Sequence, residues 1–306
     1  MKMKLFLWRK TMLLPLTETE ALNKNSQNFD KLPIKKMAEV MCAENLNAAK
    51  AVQKAQKEIV KAVKLITETY QTGGKIIFIG AGTSGRLGVL EAAECPPTFS
   101  TPKNLFTAIM AGGKKAIFES VEGAEDDSKQ GAKDFLKIAG KKDLLIAIAS
   151  SGKTPYVLGA IKTAKKQGNK TVFITSNKAA KKEGASVTIY LNTGAEVISG
   201  STRLKAGTAQ KLVLNMLTTM AMARVGKVYK NYMVDLQAKN EKLKNRATRL
   251  TALAAGINFE EAKKYAKKTK YSVKEAIVMA KLKVSQKQAK DILKKHNGFL
   301  RSALNE

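Results

Sequence analysis

The amino-acid sequence predicts an α/β protein with an open, doubly wound, parallel five-stranded sheet, flanking helices and a small C-terminal bundle of three helices. Two observations carry this prediction. Up to about residue 200, short and almost wholly apolar segments alternate with helical patterns, as in parallel sheets that are covered on both faces. After residue 200 the strand-like segments stop, and from about residue 256 three short helices follow one another.

The elements are predicted in chain order. Residues 17–32 are polar and predicted as loop, and apolar residues at helical spacing predict one long helix over 45–71. The helix after the first strand is expected to end at Pro96, because proline cannot continue a helix. The predicted strands are 76–79, 105–109, 144–149, 171–175 and 187–191, and the further helices are 124–139, 156–167, 202–225, 235–253, 259–268, 272–282 and 285–296. We divide the chain into an N-terminal segment, 1–44, a sheet domain with its flanking helices, 45–255, and the C-terminal bundle, 256–306.

Composition narrows the function classes. The formal charge is +30, yet lysines are spread along the chain, arginine is scarce and no aromatic residues interleave with a basic arm, so a solvated lysine-rich surface is favoured over a nucleic-acid site. A single histidine, His296, argues against a Ser–His triad or a histidine metal site, and Cys42 and Cys95 form no zinc or disulfide framework. Residues 1–16 do not have the pattern of a signal peptide, and no run is long enough to span a membrane, so a cytoplasmic protein is expected.

Hydroxyl-rich turns directly follow two of the predicted strands. Strand ends in an open parallel sheet share one edge, and ligands bind there at the switch in strand order. Short hydroxyls and helix N-termini suit a phosphate group, so these turns predict one phosphosugar pocket. The residues are Thr83 and Ser84 in the first turn, and Ser150, Ser151, Lys153 and Thr154 in the second.

Two alternatives to a phosphosugar pocket remain open. Serine and threonine commonly cap helices, which would give the same residues a purely structural role. The first turn also matches the dinucleotide fingerprint Gly80-x-Gly82-x-x-Gly85. That fingerprint needs an acidic residue at the end of the second strand to hold a ribose, and Met110-Ala111-Gly112-Gly113 provides none.

A pair of glutamates is the candidate acid/base machinery. Glu94 is expected in the last turn of its helix, where the dipole and the neighbouring Glu91 disfavour the carboxylate anion and raise its pKa. Glu125 is expected near the start of the 124–139 helix, where the positive dipole end favours the anion. Carboxyl groups in opposed environments suit a general acid and a general base. A solvated acidic helix start is the alternative for Glu125.

A third motif runs over residues 200–207. Ser201 or Thr202 is a candidate cap for the 202–225 helix, and Arg203 or Lys205 is a candidate anion ligand. Just before it, Glu196 is a candidate contact for sugar hydroxyls. Subunit packing is the alternative role. The 202–225 helix is apolar almost all round from Leu212 onwards, which predicts a homodimer.

Long strings of the sequence resemble the sugar isomerase (SIS) domain and, within that group, the N-acetylmuramic acid 6-phosphate etherases. The C-terminal bundle resembles a ubiquitin-associated-type module. The matching strings are GAGTSGRLGVLEAAECPPTF (80–99), EGAEDD (122–127), SGKTPYV (151–157), GAEVISGSTRLKAGTAQKLVLNM (194–216) and NYMVDLQAKNEKL (231–243). The resemblance implies that Glu94 and Glu125 are the catalytic pair.

Five positions depart from the pattern of that family. Glu91 and Ala93 stand where the family usually has Asp and Ser. Ser150, Lys153 and Ala195 stand where it usually has Ala, Arg and Pro. Lysine in place of arginine at 153 loses bidentate contact with an anion.

The resemblance implies a cytoplasmic lyase that cleaves the lactyl ether of a muramic acid phosphate during recycling of cell-wall sugar, with no metal and no organic cofactor. A small sugar phosphate is the expected partner, with neither nucleic acid nor membrane. Two rivals on the same fold stay open: an aldose/ketose phosphosugar isomerase, and a non-catalytic sensor of sugar phosphates. A nucleic-acid binder is a third, and a salt-dependent gel shift would reveal it.

Overall fold

The computed structural model describes residues 18–306, so the expectations for residues 1–16 lie outside the described part. Five parallel strands form one sheet in the order β2-β1-β3-β4-β5. This confirms the predicted fold class. The strands are β1 (Ile76–Gly80), β2 (Phe106–Met110), β3 (Leu144–Ile148), β4 (Thr171–Thr175) and β5 (Val187–Tyr190).

Helices cover both faces of the sheet and continue into the C-terminal region. Those up to β5 are α1 (Ile34–Lys54), α2 (Gln56–Gln71), α3 (Gly82–Phe99), α4 (Lys115–Phe118), α5 (Ser128–Ile138) and α6 (Pro155–Gln167). Those after β5 are α7 (Lys205–Arg224), α8 (Glu241–Ala255), α9 (Phe259–Lys268), α10 (Val273–Leu282), α11 (Gln286–Lys295) and α12 (Leu300–Ala303). No helix among residues 18–306 has the length and apolarity needed to cross a bilayer.

Alternation along β1 divides the core into two layers. Ile76 and Phe78 pack into the layer built with α2, α3 and α7, whereas Ile77 and Ile79 pack into the layer built with α5 and α6. Successive side chains of a strand point to opposite faces, so an unbroken apolar strand serves both layers at once. This explains why the strands read as continuous apolar runs.

The long helix expected over 45–71 is wrong in its start and its continuity. The helical region begins at Ile34 and breaks at Ala55, whose φ of −91° and ψ of 11° lie outside the helical range. The N–H of Ala55 bonds to the carbonyl of Val52, which tightens the turn between α1 and α2. Alanine carries no stop signal, so the break was not visible in the sequence. The boundary expected at residue 44 falls inside α1.

The expected end of α3 at the two prolines is also wrong. The helix runs through Pro96 and Pro97 to Phe99, and Ser100 ends it in the left-handed conformation. Proline has a helical φ, so the last turn of α3 continues although Pro96 and Pro97 donate no backbone hydrogen bond. Glu94 therefore does not lie in the last turn. The negative end of the helix dipole, which was expected to disfavour the carboxylate anion, therefore lies beyond Glu94.

The C-terminal region has the three predicted helices, α9, α10 and α11. Asn258 accepts a hydrogen bond from the N–H of Glu261 and caps α9, and Ser285 forms a capping box with Gln288 at α11. Their core also takes in α8 through Ala247 and Ala254. Residues before the expected boundary at 256 thus belong to the same packed unit. The helix expected from residue 235 begins at Glu241, where Asn240 caps it.

Helices α5 and α6 approach each other at two glycines. A Cβ atom at Gly159 would lie 2.0 Å from the carbonyl oxygen of Ser128, and one at Gly131 would lie 1.9 Å from that of Tyr156. Both neighbours are backbone atoms, which cannot rotate away. The pair therefore sets the spacing of the layer below the sheet.

Gly159→Ala is expected to lower the free energy of unfolding. The clash should cost about 3 kcal/mol, more than the ~1 kcal/mol that alanine adds in helix propensity. Gly140→Ala is the matched control, since the nearest atom to its Cβ would be 3.6 Å away. Urea unfolding of both variants measures the difference, and equal midpoints would contradict the packing argument.

Candidate functional site

A cavity of about 340 Å³ lies at the carboxyl ends of β1 and β3. The chain leaves β1 towards β2 on one side, and β3 lies on the other side, so this is the switch point of the sheet. The N-termini of α3 and α6 both begin beside the cavity, and their unpaired N–H groups favour an anion there. The structure thus brings the two hydroxyl-rich turns together. Thr83, Ser84, Ser150, Ser151, Lys153 and Thr154 all line the cavity.

The hydroxyl groups of these turns do not cap helices. α3 begins after Ala81 and α6 after Thr154, and neither has a side-chain cap. Ser84 instead donates to Oε1 of Gln210 at 2.9 Å, and Nε2 of Gln210 donates to Oγ of Ser150 at 2.8 Å. The capping alternative is therefore wrong for both turns.

Gln210 of α7 is a functional residue that the sequence analysis missed. Its side chain is completely buried and bridges the two turns. Because Ser150 accepts from the amide, its own O–H remains available to donate into the cavity, while the O–H of Ser84 is engaged. A glutamine on the buried face of an apolar helix was the signal that could have identified it, since a buried amide requires partners.

The second turn is fixed by residues at the end of β4 and just after it. Nδ2 of Asn177 donates to the carbonyl of Ser151 at 2.7 Å, and Oγ1 of Thr175 donates to that of Ser150 at 3.3 Å. Gly152 has a φ of +66°, and a Cβ there would lie 2.7 Å from Cβ of Ala180. Such a turn holds its shape before any ligand arrives. The side chain of Lys153 is exposed at its rim.

Close packing accounts for two of the three fingerprint glycines in the first turn, and a φ of +50° accounts for Gly82. A Cβ at Gly80 would lie 2.7 Å from the nitrogen of Gly85, and one at Gly85 would lie 2.7 Å from Cβ of Met110. The glycines let α3 approach β1 and β2. Arg86 donates to the carbonyl oxygens of Ile117 and Glu119, each at 3.0 Å, and so holds the segment that leads to Glu125.

The two candidate glutamates lie in different places. Glu125 lies in a 3-10 turn, Ala124–Asp126, and lines the cavity. The helix expected to begin at 124 begins at Ser128, with Asp127 as its cap. Glu94 is exposed on α3, in a separate depression beside Lys211 and Thr218. At 1.5 Å per residue, twelve residues place Glu94 ~18 Å along the helix from Gly82. One subunit does not bring the pair together.

Next to Glu94, the depression contains an ion pair in which the carboxylate of Glu91 is buried and the side chain of Lys211 is half-buried. Glu91 accepts from Nζ of Lys211 at 2.6 Å and from Oγ1 of Thr218 at 2.5 Å. Burial, followed by the nearby Glu91 charge, raises the pKa of Cys95 to about 12. Its thiol therefore stays protonated at neutral pH and packs in the interior.

Three candidate substrate contacts lie outside the cavity. The fully buried Glu196 accepts from the N–H groups of Lys205 and Ala206, at 3.0 and 2.9 Å, and so caps α7. The expectations that it contacts sugar and that Ser201 or Thr202 caps the helix are corrected accordingly. A carboxylate at a helix N-terminus satisfies two unpaired donors and meets the positive dipole end.

Lys205 is likewise buried, bonded through Nζ to the carboxylate of Glu44 and to the carbonyl of Ala195. Although burial acts to raise the pKa of Glu44, the hydrogen bonds from Lys205 and Asn25 lower it overall. Lys205 is therefore paired with a buried carboxylate and does not act as a ligand for an anion in the cavity. Arg203 is exposed and does not line the cavity.

The sequence and fold together define a protein of the SIS class. Residues 58–165 match the family model described as the glucokinase regulatory protein N-terminal SIS domain, and residues 121–220 match that of the SIS domain. The chain is 47% identical over 294 residues to the N-acetylmuramic acid 6-phosphate etherase of Bacillus cytotoxicus, covering 95% of this chain and 100% of that protein. It is also 47% identical to the protein of that name from Geobacillus thermodenitrificans, covering 94% and 98%. The chain belongs to the N-acetylmuramic acid 6-phosphate etherase family, which confirms the resemblance.

Proposed function

We propose that this protein cleaves the D-lactyl ether of N-acetylmuramic acid 6-phosphate, giving N-acetylglucosamine 6-phosphate and D-lactate. The proposal rests on the cavity itself. Two hydroxyl-rich turns that suit a phosphate group line it, and so does the carboxylate of Glu125. Such an enzyme would be a carbon–oxygen lyase in the cytoplasm. The positively charged surface of the protein would attract an anionic sugar phosphate to the cavity rather than bind nucleic acid.

In this mechanism the phosphate lies between Ser84 and Ser150, against the N-termini of α3 and α6. Opening of the sugar ring gives an aldehyde, which acidifies the proton on carbon 2. Glu125 removes that proton, a double bond forms between carbons 2 and 3, and the bond from carbon 3 to the ether oxygen breaks. Glu94 protonates that oxygen as D-lactate leaves. Water then adds across the double bond, with its hydroxyl on carbon 3 and a proton on carbon 2. Carboxyl groups are the only acid/base groups these steps use.

The separation of the glutamates has a consequence for assembly. Carbon 2 and the ether oxygen on carbon 3 are close neighbours, so the base and the acid must flank one small region of the sugar. Glu94 on α3 does not reach the cavity of its own subunit. We infer that Glu94 of a second subunit completes the site in a homodimer.

The surface around Glu94 suits such an interface. Leu90, in the same depression, is 43% exposed, and Leu212, next to Lys211 on α7, is 38% exposed. The apolar surface of α7, from which the sequence predicts a homodimer, supports an interface less, because most apolar side chains of α7 are buried against α1, α2 and α3. Isolated exposed leucines are common on monomers, so the position of Glu94 carries the inference.

The direct test is incubation of the purified protein with N-acetylmuramic acid 6-phosphate, with D-lactate and N-acetylglucosamine 6-phosphate measured as products. Equimolar release of both is expected. A ketose phosphate without lactate would show an isomerase instead, and binding without turnover would show a sensor.

Gln210→Met is expected to raise the KM for the sugar phosphate about tenfold while changing kcat much less. Methionine keeps the length of the side chain but removes both hydrogen bonds that align Ser84 and Ser150. Phosphate contacts persist from ground state to transition state, so their loss appears mainly in KM. Steady-state kinetics measure this, with Thr208→Val, at an exposed position of the same helix, as the control. A KM equal to that of the control would remove the amide bridge from the site.

A further inference from the structure

The first described residues form a strap across the edge of the cavity. This N-terminal strap, residues 18–26, lies over the 195–200 loop and the end of β5. The carboxylate of Glu18 accepts from the hydroxyl of Tyr190 at 3.0 Å and from the N–H of Lys178 at 3.3 Å. Three further bonds tie the strap to the loop: Ser199 Oγ to the carbonyl of Glu20 at 3.1 Å, Asn23 Nδ2 to the carbonyl of Ala195 at 3.0 Å, and Ser26 Oγ to the carbonyl of Val197 at 2.7 Å.

Glu20 places its side chain on the wall of the cavity, which Glu125 also lines. A Cβ atom at Gly200 would lie only 2.9 Å from Oε2 of Glu20. The glycine therefore leaves room for the carboxylate. Within residues 18–306, no group donates a hydrogen bond to the carboxylate of Glu20, in contrast to that of Glu18. The strap therefore presents an acceptor to the cavity from a backbone that is bonded to the 195–200 loop.

A carboxylate at this place discriminates between the two ends of a sugar phosphate. It repels the phosphate dianion and accepts hydrogen bonds from hydroxyl or amide N–H groups. The hydroxyl turns and helix N-termini attract the dianion instead. We propose that Glu20 is a specificity residue that binds a hydroxyl or amide N–H of the sugar and thereby fixes which end of the substrate meets Glu125. This rests on the proposed function in so far as the ligand is a sugar phosphate.

The test compares two ligands by calorimetry, N-acetylglucosamine 6-phosphate and inorganic phosphate. Glu20→Gln is expected to weaken binding of the sugar phosphate about ten- to a hundredfold, the usual scale for a hydrogen bond to a charged group. Binding of inorganic phosphate should stay the same or tighten, because a negative charge has been removed. Glu20→Asp, which keeps the charge on a shorter side chain, should recover part of the loss.

Glu39→Gln is the matched control, since Glu39 pairs with Lys36 on the exposed face of α1. Detachment of the strap would change both ligands alike, so an equal loss for both overturns the proposal, as does wild-type affinity of Glu20→Gln for the sugar phosphate. A wild-type protein that binds phosphate but not the sugar phosphate overturns the proposed function, and the role of Glu20 with it.

Discussion

Glu125→Gln is expected to lose both release of D-lactate and exchange of the carbon 2 proton with deuterated water, each by at least about 10²-fold. The side chain lines the cavity where the sugar would lie, and an amide cannot accept the proton. Glu94→Gln should behave differently. If elimination is stepwise, it loses lactate release while the base still exchanges the carbon 2 proton.

Running the substrate in deuterated water and following the carbon 2 signal by NMR separates these outcomes. Asp126→Asn is a useful control, because Asp126 lines the same cavity one residue away and has no assigned chemical step. Exchange that survives in Glu125→Gln and disappears in Glu94→Gln would mean that the two roles are reversed. Exchange lost in both variants would indicate concerted elimination.

The sequence predicted the sheet, and the sheet edge at which the cavity lies, because both depend on local patterns. Continuous apolar runs identified all five strands, and the hydroxyl groups that follow β1 and β3 identified the cavity wall. The carboxyl ends of parallel strands share one edge, so both turns were expected at that edge. What the sequence could not predict depends on tertiary partners. Glu196, read as a sugar ligand, lies 9 residues before Lys205 and turns inward to cap α7.

Two positions show why charge alone does not define a site. Lys205 and Glu44 are 161 residues apart in the sequence and meet only because α1 and α7 pack together. Glu20, close to the start of the described chain, reaches the cavity only because the strap crosses the 195–200 loop. Neither contact leaves a periodic or motif signal. The residues that the family resemblance emphasised most, Glu94 and Glu125, are also the ones that one subunit keeps apart.

Mixing two inactive variants is expected to restore activity, and this tests the shared site. Suppose each cavity uses its own Glu125 and Glu94 of the partner subunit. A heterodimer of Glu94→Gln with Glu125→Gln then has one site with both glutamates intact and one site with neither. Random association of equal amounts gives about half heterodimers in a two-fold symmetric dimer, so about a quarter of wild-type activity should return.

The controls make the outcome decisive. Each variant alone should remain inactive, and a mixture of Glu125→Gln with Glu125→Ala should stay inactive because no combination of its subunits contains an intact base. Light scattering should give twice the chain mass of 33.3 kDa for every sample. Subunits are mixed by co-expression with different tags, so that heterodimers are isolated directly. If isolated heterodimers are inactive, both glutamates act within one subunit, and α3 or the turn that carries Glu125 must then move on binding. Activity near half of wild type in the pure heterodimer is the result that a shared site requires, because one of its two sites is complete.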